Sequence, residues 1–161
     1  MQPKSKKLLT LAALLIVALV VYLLATAPLP PANEQIANQM KSIAVAVESR
    51  STSGVMAVAS PDYRDAQAAT LDQLHSRLLY VFRNSGSVQV HATEPAITVT
   101  GSTAVSVNHV SVTASQGPTH FTCTLTLHWK REPTRRFLVF PSSVWHVTSA
   151  EYPDAAVGMG N

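Results

Sequence analysis

The sequence predicts an α+β domain, because segments with helical periodicity come first and segments with strand alternation come last. Over residues 33–84 apolar residues recur every three or four positions, which is typical of amphipathic helices. From residue 87 onward apolar and polar residues alternate, which is typical of half-buried strands. Helices followed by strands indicate helices packed on an antiparallel sheet. The chain of 161 residues is long enough for one such domain.

An uncharged apolar run precedes this domain. Residues 8–27 read LLTLAALLIVALVVYLLATA, and 20 residues of helix cross a hydrocarbon core of about 30 Å. The basic tail before the run, residues 1–7, contains three lysines, so the positive-inside rule predicts a cytoplasmic N-terminus. We therefore expect a single-pass membrane protein whose domain is periplasmic or otherwise extracytoplasmic.

The alternative interpretation of the run is a cleaved signal peptide. Ala25, Thr26 and Ala27 fit the small-residue cleavage pattern, but the run is longer than the usual apolar region of about 7–15 residues. Pro28 would also follow the cut directly, which favours retention of the helix as an anchor. Residues 28–32 contain three prolines and should form a stiff spacer before the domain.

Three helices are predicted in the first half of the domain, which as a whole covers residues 33–152. Asn33 is a suitable N-cap for the first helix. Thr70 and Gln73 have the spacing of a capping box inside the third. The predicted bounds are 33–49, 54–59 and 65–84.

About four strands follow the helices. Apolar residues change parity at Glu94–Pro95 and again at Asn108–His109, which predicts a β-bulge at each place. Bulged strands indicate a strongly curved sheet whose concave side is filled by the helices. We expect residues 153–161 to be a flexible tail. The predicted strand cores are 87–93, 96–115, 119–130 and 136–148, and a hairpin turn at Gly101-Ser102 divides the second of these ranges.

Charge and cysteine content exclude several classes of function. Three of the 12 basic residues precede the apolar run, so the remaining nine equal the nine acidic residues, and the domain is formally neutral. A basic surface for nucleic acid is therefore not expected. Cys123 is the only cysteine and cannot form an intrachain disulfide, so we predict a buried thiol. The six histidines lack metal-ligand spacing, and we expect neither a metal nor a cofactor.

Three local features resemble the nuclear-transport-factor-2-like, or SnoaL-like, superfamily, whose fold is also called cystatin-like. They are the Ser60-Pro61-Asp62-Tyr63 break after the short helix, the turn at Thr100-Gly101-Ser102-Thr103-Ala104, and the terminal strand Val144-Trp145-His146-Val147. The resemblance covers residues 33–152 and implies a cone. It implies that the interior of the cone can bind a small ligand, catalyse a reaction, or serve only as part of a dimer scaffold.

An enzyme of this kind needs a carboxylate or histidine base beside an apolar cavity. The four predicted strands contain no Asp or Glu. Capping or solvation explains Asp62, Asp65 and Asp72 near the third helix, and no residue is assigned as catalytic. Three histidines remain as candidate bases, His91, His109 and His146, but a position on the sheet surface or in a structural hydrogen bond explains each of them better. The sequence therefore favours a binding or assembly module without catalytic activity.

Two kinds of partner remain open for such a module. Inner-membrane scaffold components of type IV secretion systems join one N-terminal helix to a periplasmic domain of the fold that this chain resembles, which implies protein partners in a membrane complex. The alternative is a small-ligand binder or SnoaL-like enzyme that uses the cone. The aromatic residues that would line its pocket, or simply fill the core, are Tyr63, Tyr80, Phe82, Trp129 and Trp145.

The strand predicted over 119–130 also has an uncharged outward face. Thr122, Thr124 and Thr126 alternate with apolar residues and lie between His120 and His128. An exposed strand face usually carries charges that discourage association. The sequence therefore predicts that the domain forms a homodimer through this face.

Overall fold

A computed structural model of the chain describes residues 13–23, 29–65, 69–116, 120–136, 140–152 and 156–158. The chain divides into two compact units. One comprises residues 1–30 with 133–143, and the other comprises residues 31–132 with 144–161. The helices and strands that position the candidate site belong to the second unit.

The first unit contains a helix, α1, over residues 13–23. The rest of the predicted membrane segment, residues 8–12 and 24–27, lies outside the described residues. Among the residues that are described, no helix is long and apolar enough to cross a membrane. The membrane helix therefore stays a prediction.

The second unit begins with three helices in the predicted order: α2 (Ala32–Glu48), α3 (Thr52–Met56) and α4 (Leu71–Asn84). The N-cap predicted at Asn33 is wrong, because Pro31 occupies that position and makes no side-chain cap. The Pro31 carbonyl already accepts the Gln35 N–H at 3.0 Å. Helix α2 therefore starts directly after the prolines, one residue before Asn33.

The short helix and the last helix both begin at side-chain caps. The Ser51 hydroxyl accepts the Gly54 N–H at the start of α3. The capping box of Thr70 and Gln73 is confirmed, but it starts α4 instead of lying inside it. The helix does not extend back to residue 65 because the preceding backbone bonds to a strand, where the Arg64 N–H donates to the Thr148 carbonyl at 2.9 Å.

In the described residues, six strands form one sheet, compared with the approximately four that were predicted. Strands β3, β4 and β5 are consecutive neighbours, β1 and β2 both pair with β3, and β6 pairs with β4. The sixth strand lies in the stretch predicted as a flexible tail, and it pairs with the start of β4. The strands are β1 (Val88–Ala92), β2 (Ala96–Thr100), β3 (Thr103–Ala114), β4 (His120–Arg136), β5 (Phe140–Glu151) and β6 (Ala156–Gly158).

The first predicted bulge is confirmed by the strand register. Ala92 pairs with Val110, and Ala96 pairs with Val107, so three residues of the β1–β2 segment lie opposite two residues of β3. The additional residue falls at 93–95, where Pro95 cannot donate to the ladder. The bulge lets β1 and β2 present their valines and Ile97 to the same side of the sheet despite their opposite parity.

The second predicted bulge, at Asn108–His109, is wrong. Strand β3 pairs with β4 without interruption from Thr103–Lys130 to Thr113–His120. The parity of its apolar residues changes because Ser106 and Asn108 face the interior while Val105 and Val107 face outward. The sequence pattern was ambiguous because two small polar residues occupy interior positions.

The helices cover one side of the sheet, which we call the inner face, and the opposite side is the outer face. Alternation along β4 puts Cys123, Leu127 and Trp129 in the interior. Cys123 is buried as predicted, and burial raises the pKa of its thiol. Side chains of α2 and α4 pack against the inner-face core, namely Ile36, Met40, Ile43, Leu71 and Leu74.

Candidate functional site

Three of the five aromatic residues that were candidates for a pocket lining lie in one buried core cluster. Trp129 and Trp145 are each 1% exposed, and they share one core cluster with the buried Tyr63. Phe82 is buried on α4 but lies outside that cluster, whereas Tyr80 is 72% exposed. The structure therefore brings three of the five candidates together, as packed core residues.

Two polar side chains of β3 lie inside this apolar core. The Trp129 indole N–H donates to the Ser106 hydroxyl at 2.9 Å, which satisfies a buried donor. Asn108 is 5% exposed, and its Oδ1 has no hydrogen-bond partner among the described residues. The Oε1 of Gln39 on α2 is likewise buried without a partner there. Within the part of the chain that the structure describes, both side-chain oxygens are buried acceptors without a hydrogen-bond donor.

The buried carboxylate of Asp65 is engaged by two partners near the start of α4. It accepts the Ala69 N–H at 2.7 Å and pairs with the Arg77 guanidinium at 3.3 Å. Its charge acts on the adjacent Tyr63: burial first, and then the Asp65 carboxylate, raise the pKa of Tyr63 to about 12. Asp65 therefore stabilises the entry to α4 and is not poised as a base.

A second polar cluster joins the loop after α3 to the sheet. The buried Ser60 hydroxyl donates to Glu132 Oε1 at 2.7 Å, and the other carboxylate oxygen lies 2.8 Å from His146 Nδ1. The hydrogen bond from Ser60 is the main reason that the pKa of the Glu132 carboxyl lies below its ordinary value, with His146 adding to the effect. His146 was a predicted candidate base, and Glu132 was missed because the strand was expected to end at 130.

The outer face of the sheet has a different composition. Register and alternation place the side chains of the central strands outward in cross-strand pairs, such as Val107 with Thr126 and His109 with Thr124. Seven outward residues at the centre define what we call the outer patch, and none carries a formal charge at neutral pH. They are His91, Val107, His109, Ser111, Thr122, Thr124 and Thr126.

A shallow depression of about 480 Å³ lies within the outer patch. His91 and His109 are among its lining residues, together with the hydroxyls of Ser111, Thr122 and Thr124. The His109 Nδ1 lies 3.1 Å from Thr124 Oγ1, which orients the imidazole on the sheet. Among the described residues, no group of three or more potential ligand side chains could hold a metal ion. The depression is therefore a neutral, hydroxyl-rich surface with two imidazoles.

Known structures share this arrangement of helices and sheet. A nuclear-transport-factor-2-like superfamily protein from Salmonella enterica serovar Typhimurium superposes with a TM-score of 0.62 at 15% identity, covering 80% of this chain and 95% of that one. The chain has the nuclear-transport-factor-2-like fold. No family model matches its sequence, and no curated protein sequence matches it.

Other proteins with this fold carry different names. A proposed dehydratase of the nuclear-transport-factor-2-like family from Streptomyces avermitilis has a TM-score of 0.58 at 14% identity, covering 80% of this chain and 96% of that one. A protein from Bdellovibrio bacteriovorus has a TM-score of 0.63 at 8% identity, covering 74% of this chain. This chain spans only 39% of the length of that protein. Identities this low show the fold alone.

Within the nuclear-transport-factor-2-like fold, the candidate bases occupy the side of the sheet that faces away from the cone. His91 and His109 lie in the outer patch, and His146 alternates with the buried Trp145 and Val147, so it also points outward. Alternation in the sequence already predicted an outward side for His91 and His146, and only the parity of β3, which contains His109, was misassigned. None of the three is directed into the aromatic interior.

Proposed function

We propose that this chain is a membrane-anchored, extracytoplasmic module without catalytic activity, and that it assembles through the outer patch with a second copy of itself. The observation that carries the proposal is the contrast between an interior packed with apolar side chains and the uncharged outer patch. Partner proteins in a membrane complex would bind this same module. Self-association is the simplest case of such binding.

The interior argues against catalysis in the cone. Acid–base chemistry there requires a side chain that can exchange a proton with a bound substrate at hydrogen-bonding distance. Trp129 and Trp145 fill the centre of the core, and the buried carboxylate of Asp65 is occupied by Ala69 and Arg77. The space and the base that a SnoaL-like enzyme requires are therefore used for packing and for holding the loop.

The outer patch suits pairing with an identical surface. In a two-fold symmetric dimer each surface meets its own copy, so a patch with a net charge would repel itself. The patch is neutral, its threonines and Val107 are β-branched, and Val107 remains 38% exposed. Such faces pack sheet against sheet about 10 Å apart. A membrane tether would favour weak pairing by raising the local concentration.

Pairing is tested on the full-length chain in detergent micelles by sedimentation over a concentration series. We expect a reversible monomer–dimer equilibrium that Val107→Lys shifts to monomer, because two new ammonium groups would face each other. Tyr80→Lys is the matched control, since Tyr80 is exposed on α4, away from the sheet. A monomer at every concentration, or equal loss in the control, would remove the pairing proposal.

The membrane anchor is supported by the apolar surface of α1. Its large side chains are exposed on all sides, from 67% for Leu14 to 42% for Val21, and a helix that is apolar all round is typical of a membrane span. We expect the chain to stay in the membrane fraction after a high-salt or carbonate wash. Recovery of a soluble mature form that begins at Pro28 would show that a peptidase removes the segment.

A second candidate function is small-ligand binding or SnoaL-like catalysis in the cone. Unused acceptors at Asn108 Oδ1 and Gln39 Oε1 favour it, because a buried oxygen without a partner costs free energy that a ligand donor would recover. The proposed dehydratase from Streptomyces avermitilis provides a precedent on the same fold. The ligand class would be a small, largely apolar molecule with one hydrogen-bond donor, such as a phenol.

A thermal-shift series with simple phenols tests this second candidate. Binding in the cone should raise the melting temperature, and Asn108→Leu should abolish the shift because it removes the acceptor. Asn38→Leu is the matched control, since Asn38 is exposed on α2. If no phenol raises the melting temperature of the wild-type chain, the non-catalytic assembly module is favoured.

A further inference from the structure

Histidines are concentrated on one side of this molecule. All six lie in described parts of the chain, and five of them point outward from the sheet. The sixth, His75, is exposed on α4. An ordinary imidazole changes its charge between pH 5 and pH 8, so the formal neutrality of the outer patch depends on pH. The five outward histidines are His91, His109, His120, His128 and His146.

Two of these histidines already have a carboxylate within their own chain. His128 Nε2 lies 3.1 Å from Glu151 Oε1, and His146 Nδ1 lies 2.8 Å from Glu132 Oε2. A proton added to either one completes an intrachain ion pair and neutralises the charge of its glutamate. Their protonation therefore adds little uncompensated charge to the surface.

The other three histidines have no carboxylate partner among the described contacts. His91 on β1 lies opposite Ser111, His109 on β3 contacts Thr124, and His120 at the start of β4 lies opposite Thr113. The hydroxyl neighbours hydrogen-bond but cannot neutralise an imidazolium. Protonation therefore converts the centre and one margin of the outer face from neutral to cationic.

The charged groups on or beside this face include Glu48 of α2, whose Oε1 is engaged by the Val90 N–H on β1 at 3.0 Å. Lys130 lies outward at the far end of β4 and is itself cationic, and Glu94 is an exposed residue of the β1–β2 bulge. Glu132 and Glu151 are engaged by His146 and His128. The outward positions of β2 pair with β3 and are Ala96, Thr98 and Thr100.

We propose that self-association through the outer patch is switched off by protonation of His91, His109 and His120. This switch rests on the proposed pairing of two copies, and it means that acid controls that pairing. In a two-fold dimer every charged histidine is duplicated, so three protonated groups in each copy place six cations across one interface. In general, one imidazole of ordinary pKa that must lose its proton on pairing weakens a dimer by roughly 30-fold at pH 5.

The experiment measures the dimer dissociation constant of the full-length chain in detergent micelles at pH 8 and at pH 5. A chelator is present throughout, so that metal bound by histidines cannot contribute. Circular dichroism at both pH values verifies that the chain stays folded. The wild-type constant should rise by at least 30-fold between the two conditions.

Two variants test which histidines cause the pH dependence of the dissociation constant. In the triple variant His91→Gln, His109→Gln, His120→Gln, the ratio of the two dissociation constants should fall towards one, whatever the absolute affinity. In the control variant His75→Gln the ratio should equal that of the wild type. The pH 5 to pH 8 ratio is the decisive readout, because loss of contacts alone would weaken pairing equally at both pH values.

The outcomes separate this inference from the proposed function. A wild-type dimer of equal strength at both pH values overturns the acid switch and leaves the pairing intact. A wild-type monomer at pH 8 overturns the pairing and the switch together. A triple variant with an undiminished ratio, or a His75→Gln variant with a reduced one, shows that the switch lies elsewhere and overturns the assignment.

Discussion

The two faces of the sheet use the same strands for opposite purposes. Along β4, Leu127 and Trp129 are buried against the helices, while Thr126 and His128 lie on the other side. The inner face is fixed by packing, so its residues determine stability. The outer face contributes little to packing, and this leaves its residues available for association and for a response to pH.

The largest effect is expected at the inner face, from Trp145→Ala. Trp145 is almost fully buried in the core cluster, and truncation of a buried Trp costs about 3–5 kcal/mol. Urea unfolding followed by circular dichroism measures this loss. Tyr80→Ala is the matched control, because an exposed aromatic should change stability by less than about 0.5 kcal/mol. Equal losses in the two variants would show that the assignment of the faces is wrong.

A smaller effect of the same kind is expected from Ser106→Ala. The change removes the acceptor of the buried Trp129 N–H and leaves that donor without a partner, which costs about 1–3 kcal/mol. Ser111→Ala is the control, since it lies on the same strand but faces outward and should be nearly neutral. A neutral Ser106→Ala would mean that water or a shifted indole replaces the bond.

The junction between the loop and the outer side of the sheet should lose stability in acid. Because the pKa of Glu132 is lowered in the folded state, its charged form stabilises the fold above the ordinary glutamate range. That contribution disappears as the pH falls through the lowered value and the carboxylate is protonated. We expect Glu132→Gln to cost on the order of 1 kcal/mol at pH 7, as for a hydrogen bond to a charged group.

The measurement for this junction is the free energy of unfolding of wild type and Glu132→Gln as a function of pH. The difference between them should shrink as the pH falls towards 3. Glu94→Gln is the control, because Glu94 is exposed in the β1–β2 bulge and the substitution should leave the pH profile unchanged. If the difference in unfolding free energy were the same at all pH values, the effect of Glu132→Gln would come from the shape of the side chain and not from its charge.

Local patterns predicted the helices, the first bulge and the alternation of β4. The capping box at Thr70 and the proline at position 95 are signals contained in a few adjacent residues, so the sequence alone sufficed for them. The face of β3 was misassigned because Ser106 and Asn108 are polar residues in the interior. Ser106 lies in the interior because its hydroxyl accepts a hydrogen bond from Trp129, which lies 23 positions away in the chain.

The candidate site was also predicted only in part, because some of its residues come together from distant parts of the sequence. Thr122, Thr124 and Thr126 were found because one strand contains them all, whereas the outer patch also requires residues from β1 and β3. The register between strands determines which histidines share that face. Glu132 was missed because its partners, Ser60 and His146, come together only through the tertiary structure.

The smallest change in folding stability is expected from Thr126→Lys, compared with the adjacent Leu127→Lys. Thr126 points outward and its new ammonium group stays in water, so unfolding of the dilute monomer should shift by less than about 0.5 kcal/mol. Leu127 is buried, and an unpaired charge at that position should prevent stable folding. The same Thr126→Lys protein should lose dimer in sedimentation, because like charges then meet across the two-fold axis. A variant that unfolds would place Thr126 in the core, and one that still dimerises would place the interface on another surface.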